Sequence, residues 1–248
     1  MCFFCLIFVK YSTKQSFNIM LNNINQSVKY LKVLLLILSF YGHFASSQTL
    51  INPNKVIFWG INALHTTTNS YHYSKIKTNP STSFKIKSLD SKVPLRLSKG
   101  VAKASDITFI TTAFVAGIFV LSEIPKDKRL RQSIRMAENV WMTYNITETF
   151  KNTVKRVRPY AYQGVREKDD IRSFISGHSS LTANMATTLW MSNPKNKIFP
   201  ILATGLAIGT AALRVKAGKH FVSDVLSGII VGFGVAYIHE KITPINGI

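Results

Sequence analysis

Cysteine is nearly missing from this chain. Only Cys2 and Cys5 occur, both at the extreme N-terminus, so the body of the chain has no thiols for a disulfide framework or a thiolate metal site. Acid is scarce too: 11 Asp and Glu stand against 31 Lys and Arg, a formal net charge of +20. No cluster of carboxylates is evident; Asp169 and Asp170 are the only adjacent acids and read as loop residues. There is no zinc-finger spacing and no RNP-like aromatic motif, so nucleic acid falls behind as the partner of all this positive charge. An anionic membrane face or a phosphorylated substrate remains. No internal repeat is evident. The apolar runs Ile107–Leu121 and Val222–Ile238 also fall short of the about 20 residues that a spanning helix wants.

The 248 residues, 46% of them hydrophobic, suffice for one large domain or a compact helical bundle. Near the N-terminus, Lys29-Tyr-Leu-Lys32 precedes an apolar stretch from Val33 to Phe44 and the small residues Ala45-Ser-Ser47. Charge, apolar core and small residues in that order read residues 1–47 as a signal peptide or an uncleaved signal anchor, with an ordinary buried helix as the alternative. Either export reading puts residue 48 onward outside the cytoplasm. Residues 48–104, rich in Ser, Thr, Asn, Lys and Pro, read as an extracytoplasmic, partly irregular lead-in. A helical core follows over 105–240, then a short tail, 241–248.

The pattern predicts helices over 105–122, 136–150, 178–192, 198–213 and 222–238, an all-α bundle of five to six helices. The 136–150 segment mixes Asn, Thr and Glu with its apolar residues, so it belongs inside a bundle rather than facing lipid all round. Ala203, Gly205, Ala207 and Gly209, then Gly228, Gly232 and Gly234, recur at spacings that let helices approach closely, as in membranes. A soluble bundle with Ala/Gly contacts is the alternative. Threading the five helices across a membrane puts the basic turns at 126–131 and 193–197 in the cytoplasm, as the positive-inside rule asks. The remaining polar segments, 151–176 and 214–221, then share the outer face.

Three segments on that face carry chemistry. Asp224 is the only acid between Ile171 and His239, and an unpaired carboxylate in so apolar a region is costly. His220 lies four residues before it, on the same face if the segment is helical. A carboxylate holding one imidazole nitrogen leaves the other free and more basic, as in a nucleophile and its orienter. Arg214 adds a fixed charge suited to an oxyanion or phosphate. Lys151 and Arg158 are seven residues apart, about two helical turns, so they share a face, with Lys155 beside Lys151 and Pro159 ending the helix. Taken alone, this segment is better read as a solvated cationic helix end. Ser176-Gly177-His178 opens a helix: a hydroxyl, a glycine that lets a backbone amide approach, and a helix N-terminus make an anion cradle, with His178 able to donate a proton.

Lys151-x6-Arg158-Pro159, Ser176-Gly177-His178 and Arg214-x5-His220-x3-Asp224, in that order, resemble the signature of the type 2 phosphatidic acid phosphatase (PAP2) superfamily. The resemblance covers about residues 105–240. Two positions depart from it: Ile175 stands where the family has Pro, and Leu213 where it has Ser. The resemblance implies a PAP2/haloperoxidase-like transmembrane bundle and a phosphatase that needs no metal or other cofactor. In that scheme His220 attacks phosphorus to form a phosphohistidine, and Asp224 orients His220. His178 protonates the leaving group and then activates water. Lys151, Arg158, Ser176, Gly177 and Arg214 bind the phosphate. The implied substrate is a phosphate monoester or diphosphate of a membrane lipid, such as phosphatidic acid, an isoprenyl diphosphate, phosphatidylglycerophosphate or lipid A. The implied location is the inner membrane with the site facing the periplasm. A soluble periplasmic acid phosphatase, a vanadate-dependent haloperoxidase and a non-catalytic lipid-binding protein are the alternatives. His65, His72 and His239 read as surface or interface residues.

Overall fold

The structure, a computed structural model, describes residues 53–75, 88–164, 169–192 and 195–242. The segment read as a signal sequence or anchor, 1–47, lies outside them, as does the tail from 243. The chain falls into two compact units, Met1–Thr67 and Thr68–Ile248. The described part of the first is the N-terminal portion of helix α1, Pro53–Lys75. The second holds the rest: α2 Lys99–Glu123, α3 Lys126–Val154, α4 Gly177–Met191, α5 Ile198–Lys216 and α6 Val222–Ile242, with 3-10 turns at Ser88–Asp90 and Pro159–Gln163. Among the described residues there are six α-helices and no strand, so the chain is all-α.

Three boundaries differ from expectation. The lead-in read as partly irregular contains α1, a helix of 23 residues. α2 starts at Lys99, because Val, Ala, Lys and Ser before residue 105 carry no breaker beyond Gly100 in the first turn. α3 starts at Lys126, so the basic cluster 126–131 forms its first turns. Pro125 separates α2 from α3, and the Lys, Arg and Leu that follow are good helix formers. Asp127 sits in the first turn, where the helix dipole favours an acid.

Many polar side chains point inward in this unit, beside a smaller apolar core, and many large apolar ones point outward. α3 buries Gln132, Arg135, Glu138, Asn139, Thr143, Asn145, Thr147 and Glu148. They find partners across the bundle. Asn184 on α4 donates to Thr143 Oγ1 at 2.9 Å, Thr147 and Ser180 hydroxyls meet at 2.9 Å, and Gln132 donates to Ser192 Oγ at 2.8 Å. Arg135 and Asn139 both donate to the carboxylate of Glu240. His239 is buried beside Glu138, 3.5 Å away; the surface reading of that residue is corrected, because an unpaired imidazole would not stay in such a core while a carboxylate partner allows it. By contrast α2, α5 and α6 expose large apolar residues, among them Ile110, Phe114, Leu121, Ile201, Ile208, Ile230 and Phe233. These same three helices are long and apolar enough to cross a membrane. A hydrocarbon surround suits that outward face.

The packing that positions the site is between α4 and α6, the most extensive helix pair. A Cβ on Gly228 would lie 2.6 Å from the carbonyl oxygen of Ser176, and one on Gly232 2.0 Å from that of Ser180. Only glycine permits backbones this close. An apolar cluster of Val115, Phe119, Val120, Ala186, Leu189 and Ala203 joins α2, α4 and α5.

Candidate functional site

α3 ends at Val154, and Lys155 caps it in the left-handed region at φ 50°. Arg158 is extended, at φ −73° and ψ 151°, because the ring of Pro159 disfavours helix at the residue before it. Lys151 and Arg158 therefore do not share a helical face, as the seven-residue spacing suggested. Arg158 reaches back from an extended strand of chain, and Lys155 is exposed. Lys151 is aimed by Glu148, whose Oε1 lies 2.9 Å from Nζ. Glu148 in turn is held by Arg172, which also donates to Asn152 Oδ1 at 2.7 Å. Burial lowers the Lys151 ammonium pKa, Glu148 pulls it back up, and Arg158 and Arg172 lower it further.

Lys151 Nζ meets the start of α4. A Cβ on Gly177 would lie 3.1 Å from that nitrogen, so the glycine leaves room for the cation beside the helix N-terminus. Ser176 precedes it, its hydroxyl 2.9 Å from Ser179 Oγ and its amide donating to the carbonyl oxygen of Asp224 at 3.0 Å. Ile175 is buried, and the peptide bond before it is cis.

His220 lies between α5 and α6 and is 1% exposed. Its Nδ1 is 2.7 Å from the carbonyl oxygen of Ser173. A carbonyl only accepts, so Nδ1 carries the proton and Nε2 the lone pair. Nε2 lies 3.3 Å from Arg158 Nη1. Arg158 is itself fixed by the carbonyl oxygens of Asp169 at 2.8 Å and Lys219 at 3.0 Å. Burial, then Arg158, Arg214 and Lys151, hold the His220 pKa well below the ordinary 6.5.

Asp224, expected to hold His220 directly, is one step removed. Its Oδ2 is 3.9 Å from Nδ1, too far for a hydrogen bond. It accepts instead from Ser173 Oγ at 2.5 Å and from the Phe221 amide at 2.9 Å. Asp224 thus grips the residue whose carbonyl grips the imidazole. Arg156 neutralises it, Nη1 lying 2.6 Å from Oδ1, and the other arm of Arg156 reaches Asp90 Oδ2 at 2.7 Å. Asp90 also takes the Ser223 amide at 3.0 Å and hydroxyl at 2.7 Å, capping the start of α6. Burial pushes the Asp90 pKa up, but the Ser223 amide and Arg156 together bring it below the ordinary carboxylate range.

His178 and Arg214 meet at one atom. Asp106 Oδ1 on α2 is 2.9 Å from His178 Nε2 and 3.0 Å from Arg214 Nη1. Ser105 Oγ lies 3.1 Å from the same Nη1. The ring of Phe109 sits 4.9 Å from that of His178. Burial, then Arg214, Lys151 and Arg158, push the His178 pKa down to about 3. Beside this pair opens a cavity of about 290 Å³, lined by Leu97, Lys99, Lys103, Asp106, Arg214 and Lys219.

The eight motif residues thus come from the end of α3, the loop to α4, the start of α4, the end of α5 and the start of α6. Asp106, Ser173, Arg156 and Asp90 were missed by motif spacing. Asp106 alone carried a signal, as a carboxylate at the head of an apolar helix in a chain so poor in acid. Together the motif residues present three cations, one imidazole whose unprotonated nitrogen faces Arg158, and a second imidazole beside a helix N-terminus. Such a set can bind a tetrahedral oxyanion and attack its central atom.

Residues 133–246 match the family model described as the PAP2 superfamily. No curated protein matches the chain. Among solved structures, the chain is similar to the transmembrane PAP2 type phosphatidylglycerolphosphate phosphatase from Bacillus subtilis, at 19% identity and a TM-score of 0.45, over 73% of this chain and 94% of that one.

Proposed function

We propose, from the match of residues 133–246 to the PAP2 superfamily model and from the site's geometry, that the protein is a metal-independent phosphatase acting on a phosphate monoester or diphosphate of a membrane lipid. The observation that carries the reading is the tautomer of His220: Nδ1 donates to Ser173, leaving the Nε2 lone pair facing Arg158. A buried, neutral imidazole with its free nitrogen among cations is a nucleophile for phosphorus.

Phosphate oxygens bind to Lys151, Arg158 and Arg214, with Ser176 and the Gly177 amide completing the cradle. His220 Nε2 attacks phosphorus as the bond to the leaving oxygen breaks, and His178 gives that oxygen a proton. Water then attacks the phosphohistidine, its proton going to His178, and the P–N bond breaks to restore His220. In the empty site burial, and after it the cations Arg214, Lys151, Arg158 and Lys219, hold the His178 pKa down to about 3. A bound phosphate neutralises those cations and raises its pKa, so the acid is armed by the substrate.

The outward apolar faces of the three candidate spans support a membrane home. The basic segments near the site suit anionic headgroups. The export signal read in residues 1–47 and the positive-inside pattern support a site facing the periplasm. The test is phosphate release by purified protein from a panel of lipid phosphates and diphosphates, with nitrophenyl phosphate as the soluble control, together with acid quenching of radiolabelled substrate. An acid-labile phosphoprotein that disappears in His220→Asn is expected. Full turnover by His220→Asn rules out the mechanism, and activity on the soluble ester alone rules out the lipid.

A further inference from the structure

The carboxylate of Asp106 stands where the proposed function would put a phosphate oxygen. One oxygen, Oδ1, is shared between His178 Nε2 at 2.9 Å and Arg214 Nη1 at 3.0 Å. The phosphatase reading assigns Arg214 to the phosphate and His178 to its leaving oxygen, so this inference rests on that reading. The Asp106 side chain is 52% exposed. In this unit the buried charged side chains Arg135 and Arg156 find buried carboxylates, in Glu240 and Asp224. Arg214 is 7% exposed, and its carboxylate partner instead faces solvent.

We propose that Asp106 is an internal placeholder for the substrate anion, occupying the His178–Arg214 position when the site is empty and leaving it when phosphate binds. An oxyanion and this carboxylate cannot both accept from the same two donors, and two anions side by side repel. The displaced carboxylate has somewhere to go. Lys103 lies one helical turn earlier on α2, where side chains share a face, and it lines the same 290 Å³ cavity as Asp106. Lys99 and Lys219 line that cavity too. Substrate binding is therefore an exchange of one anion for another at a fixed pair of donors. Exchange weakens every anion by the same competition, product phosphate included, so Asp106 favours release of inorganic phosphate after turnover.

The test uses full-length protein in detergent, Asp106→Asn and Asp106→Ser beside wild type, with inorganic phosphate as the probe in calorimetry and nitrophenyl phosphate as the assay substrate. Both variants are expected to bind phosphate about tenfold tighter, the effect of removing about 1.4 kcal/mol of competition. They should lower KM and the inhibition constant for phosphate together. If Asp106 instead positions His178 for proton transfer, kcat falls with phosphate affinity unchanged or weaker, and the placeholder role is overturned. Wild-type protein that binds phosphate and turns over, with variants no tighter, sinks this inference alone. Wild type that neither binds phosphate nor releases it from any ester sinks the phosphatase reading, and this inference with it.

Discussion

His220 Nδ1 lies 2.7 Å from the carbonyl oxygen of Ser173. A main-chain atom, rather than a carboxylate, fixes the tautomer of this proposed nucleophile. Asp224 acts at second remove, through the Ser173 hydroxyl. Removing that hydroxyl and removing the imidazole therefore have different consequences. Ser173→Ala keeps the carbonyl and should retain activity within about tenfold, equivalent to about 1.4 kcal/mol of barrier. It should also melt lower, since Asp224 loses one charge-assisted hydrogen bond, about 1.5–3 kcal/mol. Phosphate-release kinetics and thermal unfolding of the same preparation separate the two effects.

Arg156 is the counter-ion of two buried carboxylates, Asp90 and Asp224. Arg156→Met leaves both without it, and a loss of about 3–5 kcal/mol in stability is expected. Denaturant unfolding in a fixed detergent reads it. A loss under about 1 kcal/mol would mean that the two pairs are no stronger than surface ones.

Gly177 gives Lys151 its place at the start of α4, and a Cβ would lie 3.1 Å from Nζ. Lys151 is a flexible chain, so Gly177→Ala should fold and melt as wild type. The ammonium must shift away from the cradle, and misplacement of a catalytic group by about 1 Å costs up to about a hundredfold. The expected result is a loss of that order in kcat/KM with an unchanged unfolding midpoint.

Acid should destabilise the protein through its histidines before its carboxylates. His178 is held down to about 3 and His220 well below 6.5. The unfolded chain takes up these protons near pH 6.5, and the folded one does not until far lower. Their contribution is thus fully present above about pH 6.5 and is lost as pH falls below it. The carboxylate of Asp90, with a lowered pKa, adds its own loss only below its ordinary 3.8. Between pH 6.5 and 4.5 the unfolding midpoint should fall, and His178→Gln should fall less steeply. Parallel slopes in the two proteins would contradict the depressed His178.

Much of this was readable from residue order alone. Pro125, Pro159 and the glycines punctuate helices in ways that follow from one dihedral angle, and the spacing from His220 to Asp224 brought the right residues near each other. What it could not supply was hydrogen-bond direction. The four-residue spacing suggested a direct His–Asp contact, while the chain from Phe174 to Ser176 folds so that Ser173 comes between. The seven-residue spacing suggested a shared helical face, while α3 stops four residues short of Arg158. Asp90 and Asp106 came from segments that carry no motif, because pairing across a bundle leaves no trace in local spacing. A length criterion also understated the spans: α2 has 25 residues, since polar residues at its start are helical too.

The glycines of α6 bear on how the site keeps its shape. Gly228 and Gly232 are four residues apart, and they face the Ser176 and Ser180 carbonyls, also four apart. A slip of either helix by one residue would drive a side chain into a main-chain oxygen. The start of α4 at Ser176–His178 and the head of α6 beside His220 are therefore locked in register. α2 packs against α4 and α5, and its Asp106 reaches His178 on the one and Arg214 on the other. A side chain added at either glycine would therefore disturb the whole assembly of helix ends at once, rather than one residue of it.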